Sequence, residues 1–95
     1  MAIVDKKAVG KRLKAIRSVS GIERKEFVGR IGVGLADWNG YEDAAMLPAP
    51  LTAAKVVMLV PGLTLDWIYL ARTNGLDADL HRKLVAAEAD AGKAA

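Results

Sequence analysis

The sequence predicts an all-α domain, and three observations carry that reading. Apolar residues recur at helical spacing: Val9, Leu13 and Ile16 stand at i, i+4 and i+7, Phe27 and Ile31 four apart, Trp38 and Tyr41 three apart. Helix stops and starts fall between these runs, at Ser20-Gly21, Gly32, Pro50 and Pro61-Gly62. No segment alternates apolar and polar residues with a period of two for long enough to make a strand.

Each element follows in order. The first helix carries Val9, Leu13 and Ile16 and stops at Ser20-Gly21; a short second helix around Phe27 and Ile31 is closed by Gly32. Gly34 opens a third helix with Trp38 and Tyr41 on its inner side, and Val33 can bury beneath the corner between the two. Pro50 suits the first turn of a fourth helix, whose expected buried face is Leu51, Ala54, Val57 and Met58. Thr64 caps a fifth, LDWIYLA, with Asp66 near its positive end. Leu76, Leu80 and Leu84 share one face of a short sixth helix, followed by an Ala-rich tail, AAEADAGKAA, that is expected to fray. The organisation read from this is a compact five-helix domain over 1–75, then a C-terminal helix and tail over 76–95.

Composition bounds the function. The 95 residues can build one hydrophobic core, and with no cysteine they offer neither disulfides nor zinc-thiolate sites. The start, MAIVDKKAVGKR, has no apolar run of signal-peptide length, and LTAAKVVMLVPG is too short to span a bilayer, so the expected location is the cytoplasm. Charge is unevenly placed: residues 1–30 hold nine bases against three acids, residues 31–54 three acids and no base, and the remainder five of each. Such a basic first third suits a negatively charged partner.

Enzymatic chemistry finds no constellation. The only histidine, His81, has no cysteine to pair with and no carboxylate set beside it, and no metal or cofactor is expected. The glycines of GRIGVG match neither dinucleotide nor P-loop spacing, and no strand precedes them. What remains is the unit of helix, tight turn and helix between Ile22 and Glu42, with Gly32 at the corner. Such a unit lays one helix across phosphates and presents the next to the major groove.

Here the chain resembles the lambda-repressor-like (XRE/Cro) helix-turn-helix domain, over about residues 9–71. The resemblance is carried by a basic first helix with Arg17 before a Ser-Gly stop, by KEF-x-x-RIGV, by WNGYE with a following proline, and by LDWIY. It implies a DNA-binding transcriptional regulator, repressor-like, that binds a double-stranded operator as a homodimer. It also implies roles. Arg24, where relatives usually carry Gln, and Lys25 would meet phosphates; Gly34, Leu35, Ala36, Asp37, Asn39 and Gly40 fall on base-reading positions; Arg17 and Glu42 would form a structural pair. By spacing, Tyr41 lies on the buried side, from which its hydroxyl can either stay inside or emerge toward a phosphate.

The departures from the family lie at the reading surface, where relatives are polar or basic. Leu35 and Ala36 can still meet thymine methyls, Asn39 can pair bidentately with adenine, and Asp37 can accept from cytosine. An acidic, apolar third helix also fits a second reading, a protein-binding regulator such as an antiactivator or antitoxin on the same scaffold. For the dimer interface, the candidate surfaces are the outer edges of the fourth and fifth helices with the stripe of Leu76, Leu80 and Leu84, a stripe of a kind that more often packs against its own domain.

Overall fold

The computed structural model describes the backbone of residues 4–93 and the side chains of residues 4–90. Six helices and no strands occur among these residues: α1 (Lys6–Ser20), α2 (Arg24–Ile31), α3 (Leu35–Glu42), α4 (Pro50–Leu59), α5 (Leu65–Leu70) and α6 (Ala78–Lys93). The ends of the first five helices follow the sequence closely because the signals there are local, whereas α6, expected to be short and to include Leu76, begins at Ala78 and is the longest at 16 residues. Gly21 and Gly32 take left-handed backbone, φ 70° and 73°, which costs glycine nothing. Pro50 occupies the first turn of α4, and the Thr64 hydroxyl accepts from the Trp67 N–H at 3.1 Å. Asp5 caps α1, accepting from the Lys7 N–H, and Asp77 caps α6, accepting from the Leu80 N–H at 3.0 Å.

α1 is the central element, packing against α3, α5 and α6, while α2 packs on α3 and α4, and α4 on α5. The core is continuous through Leu13, Ile16, Phe27, Trp38, Val56 and Ile68, with Leu80 and Leu84 joining it from α6. The leucine stripe takes the commoner of its two expected uses, packing on its own domain. Leu84 is fully buried and Leu80 nearly so, with Leu76 packed against the same core, so their face is spent inside the domain and offers no dimer surface. The tail expected to fray continues α6 as far as Lys93; Ala94 and Ala95 lie outside the described residues.

The phase of α4 departs from the expected one. Its buried residues are Ala53 and Val56, with Val60 just beyond its end. Leu51 is instead 69% exposed and Met58 84%, and Ala54 and Val57 are only half-buried. Nine consecutive residues from Leu51 contain only Thr52 and Lys55 as polar markers, so periodicity alone barely phases the helix. Lys55 was the usable signal. It lies four residues after Leu51 and three before Met58, and a phase that keeps Lys55 in water carries both of these out with it.

Gly10 sets the approach of α1 to α3. A Cβ there would stand 2.8 Å from the backbone oxygens of both Tyr41 and Glu42, closer than side-chain carbons come, so only glycine permits this crossing. Arg12, counted among the basic residues of the sequence, is buried at the other side of α1. Its Nε donates to the Ile68 carbonyl at 2.8 Å and its Nη2 to that of Tyr69 at 3.1 Å, with the guanidinium 6.0 Å from the Trp67 ring centre. These bonds satisfy carbonyls at the end of α5 that the short helix leaves open. Burial pulls the guanidinium below its ordinary pKa, and the charges of Glu88 and Asp5 partly oppose that shift.

Candidate functional site

α2 and α3 are joined by Gly32, Val33 and Gly34. The Val33 N–H donates to the Val28 carbonyl at 3.1 Å, closing α2, and Val33 packs on the core as its spacing predicts. Gly34 is extended, φ −70° and ψ 149°, and stands just before α3. Glycine has no side chain to cap the helix, so no side chain satisfies the first backbone N–H groups of α3 from that position. Glu23 likewise makes no side-chain cap for α2.

The inner side of α3 is anchored by an aromatic pair and one carboxylate. Trp38 is fully buried, its ring centre 5.0 Å from that of Phe27 and 6.0 Å from that of Tyr41, which meets it edge-on. Tyr41 is 8% exposed and its ring belongs to this cluster, while its hydroxyl has no protein partner among the described residues and, not being a buried unsatisfied atom, reaches the surface. The Glu42 side chain, 5% exposed, receives both Nε (2.7 Å) and Nη2 (3.2 Å) of Arg17, and the indole N–H of Trp38 as well. A carboxylate this deep needs such donors, since an unpaired buried charge is strongly unfavourable. The Arg17–Glu42 pair expected from the resemblance is therefore present, and the indole is an unexpected third member.

Arg24 extends this network. Its Nη1 donates to Asn39 Oδ1 at 2.9 Å, and its Nη2 lies 3.5 Å from Glu42 Oε1. Two expected site residues thus hold each other, with the guanidinium turned toward α3 rather than outward. Lys25, next to it, is exposed.

The outer side of α3 is formed by Leu35, Ala36 and Asp37, all exposed, with Asn39 and Gly40 half-buried. Gly40 is partly covered by a residue that the sequence did not single out: a Cβ on it would come within 2.9 Å of Met46 Cε. Met46 and Leu47 follow α3 and are themselves exposed. No spacing rule links Met46 to Gly40, because the loop between them turns through Ala44, an alanine in left-handed backbone at φ 64°. The resulting surface is apolar with acids at Asp37 and Asp43, and bases stand only at its border.

Other concavities lie elsewhere. A cleft of about 290 Å3 opens between the ends of α1 and α4 and the start of α6, lined by Val19, Ile22, Leu59, Leu80 and Lys83; neither α2 nor α3 contributes to it. Among the described residues no group of three His, Asp or Glu side chains is placed to hold a metal ion, and no helix is long and apolar enough to cross a membrane. His81 sits on α6, away from α2 and α3. Compared with known proteins, the chain matches no protein-family model, no curated protein and no solved structure.

Proposed function

We propose that this chain is a sequence-specific DNA-binding regulator of the lambda-repressor-like helix-turn-helix type, with α3 entering the major groove. The observation that carries the reading is the division of α3: Trp38, Tyr41 and Glu42 are committed to the interior, while Leu35, Ala36, Asp37 and the border residue Asn39 are left on one outward side. Arg24, at the start of α2, meets Asn39 at the border of that side, and Lys25, next to it in sequence, is exposed. Exposed Lys6, Lys7, Lys11 and Lys14 of α1 supply sequence-independent attraction to phosphates. Leu35 and Ala36 would meet thymine methyls and Asp37 a cytosine amino group. The protein works in the cytoplasm as a homodimer on half-sites about 34 Å apart, one helical turn. Leu51 and Met58 on the outer side of α4 replace the leucine stripe as the apolar surface available to a second copy.

Selection of the protein against a random duplex library, with binding of the enriched pool followed across a salt series, tests this. A two-fold motif whose affinity falls steeply with salt is the expected result; no enrichment would sink it. A second reading, docking of another protein on α3, is favoured by Leu35, Met46 and Leu47, three exposed apolar residues around a helix without a base. Capture of a defined protein partner that Leu35→Asp abolishes, by a protein with no enriched DNA motif, would establish that reading instead.

A further inference from the structure

Asn39 is a reader by position but not a free one. A guanidinium has donors only, so the group of Asn39 that faces Arg24 Nη1 at 2.9 Å has to be the carboxamide oxygen. The usual ambiguity of an amide's two ends is removed by the chemistry of its neighbour. Arg24 is itself held, because Glu42 Oε1 lies 3.5 Å from its other nitrogen and Glu42 is fixed by Arg17 and Trp38. At the far end of the amide, the Asn39 NH2 has no protein acceptor, and no buried side-chain nitrogen or oxygen among the described residues lacks a partner. That NH2 therefore opens to solvent beside Ala36 and Gly40.

We propose that Arg24 is a positioning residue that locks Asn39 as a donor-only reader, so that the base opposite Asn39 is guanine and not adenine. The inference rests on the DNA-reading function above and assigns one of its bases. Bidentate pairing with adenine requires the amide oxygen to accept from N6–H2 while the amide nitrogen donates to N7. With the oxygen turned to Arg24, the adenine amino group would face the Asn39 NH2, donor against donor. Guanine presents N7 and O6, two acceptors side by side, and cytosine presents a donor alone. Thymine offers the single acceptor O4. Guanine is the best match to two N–H groups.

The test is a set of random-duplex selections on three full-length proteins: the wild type, Asn39→Ala and Arg24→Met, which keeps the aliphatic stem and removes every donor. Asn39→Ala identifies the motif column that Asn39 reads, by flattening it. The wild type is expected to show guanine there, and Arg24→Met to shift the guanine-to-adenine ratio toward adenine by roughly fivefold or more, the range a base-edge contact commands. Adenine in that column for the wild type would overturn the inference, even if Arg24→Met did not fold. So would an unchanged ratio in folded Arg24→Met. Either of these leaves DNA reading intact, whereas the absence of any enriched motif for the wild type would overturn both together.

Discussion

The two sides of α3 differ in how many other elements hold them. Trp38, Tyr41 and Glu42 on the inner side are each tied to another part of the chain, through Phe27, through the close crossing at Gly10, and through Arg17 and Arg24. Leu35, Ala36 and Asp37 on the outer side enter no side-chain hydrogen bond or ion pair among the described residues. One eight-residue helix thus carries residues set by folding and residues that folding does not use. Substitution on the inner side should therefore be read as stability, and substitution on the outer side as recognition.

The largest expected effect comes from the carboxylate. Glu42→Ala leaves the Arg17 guanidinium and the Trp38 indole N–H without their acceptor in a nearly closed site. Removing one partner of a buried pair typically costs about 3 to 5 kcal/mol, and Arg17 retains enough exposure to place this case near the low end, at about 3 kcal/mol. A denaturant titration should show the unfolding free energy fall by that amount, as a lower midpoint at unchanged slope. A loss under about 1 kcal/mol would mean that the pair is solvated and the inner side is not held by it.

Gly10→Ala comes next. Alanine gains up to about 1 kcal/mol in helix propensity, but its methyl would press on the backbone oxygens of Tyr41 and Glu42 at 2.8 Å. Overpacking of this kind costs about 1 to 3 kcal/mol, and backbone atoms cannot rotate away as a side chain can. With the full propensity gain set against it, the expected net loss is about 0 to 2 kcal/mol, read as a lower midpoint with an unchanged denaturant slope. A more stable variant would show that α1 and α3 can part without penalty.

A smaller effect marks where the anchoring of this region ends. The Tyr69 hydroxyl donates to the Pro48 carbonyl at 2.8 Å, tying α5 to the loop that follows α3. Tyr69→Phe should cost about 1 kcal/mol, the net worth of one hydrogen bond. Burial, with a lesser contribution from Tyr41, raises the Tyr69 pKa above its ordinary 10.0. The folded state then holds this proton more tightly than the unfolded chain does, so the contribution of Tyr69 to stability is constant below pH 10 and is lost as pH rises toward the folded value. Alkaline denaturation followed for wild type and Tyr69→Phe should show a steeper loss in the wild type; parallel curves would remove Tyr69 from the linkage.

What the sequence made legible were features whose cause is local. Helix ends at Gly21, Gly32, Pro50 and Thr64 follow from backbone conformation and capping within a few residues, and the inward placement of Trp38 and Tyr41 follows from their spacing. The Arg17–Glu42 pair was reached only through resemblance, since two residues 25 apart have no spacing rule. What stayed hidden depends on contacts between distant segments. The close crossing at Gly10, the burial of Arg12 under α5 and the bond from Arg24 to Asn39 are of this kind, whereas the cover of Met46 over Gly40 is local and depends on the left-handed turn at Ala44. The phase of α4 failed for a different reason, an apolar run with too few polar markers, and its one informative residue was Lys55.

The outer side should yield the smallest stability change and the sharpest functional one. Ala36 is exposed, and a lysine there meets no close-packed neighbour that the chain would have to move. Ala36→Lys should therefore shift stability by no more than about 0.5 kcal/mol, the usual range for open surface sites. On a helix with acids and no base, an ammonium where Ala36 is proposed to meet a thymine methyl should move the preferred base at that position toward guanine, whose N7 and O6 accept it, and the added charge should steepen the salt dependence. If stability held but salt dependence did not move, Ala36 would not face the phosphates' field. The outer side of α3 would then belong to a protein partner, and the division between its two sides would mark a docking surface in place of a reading one.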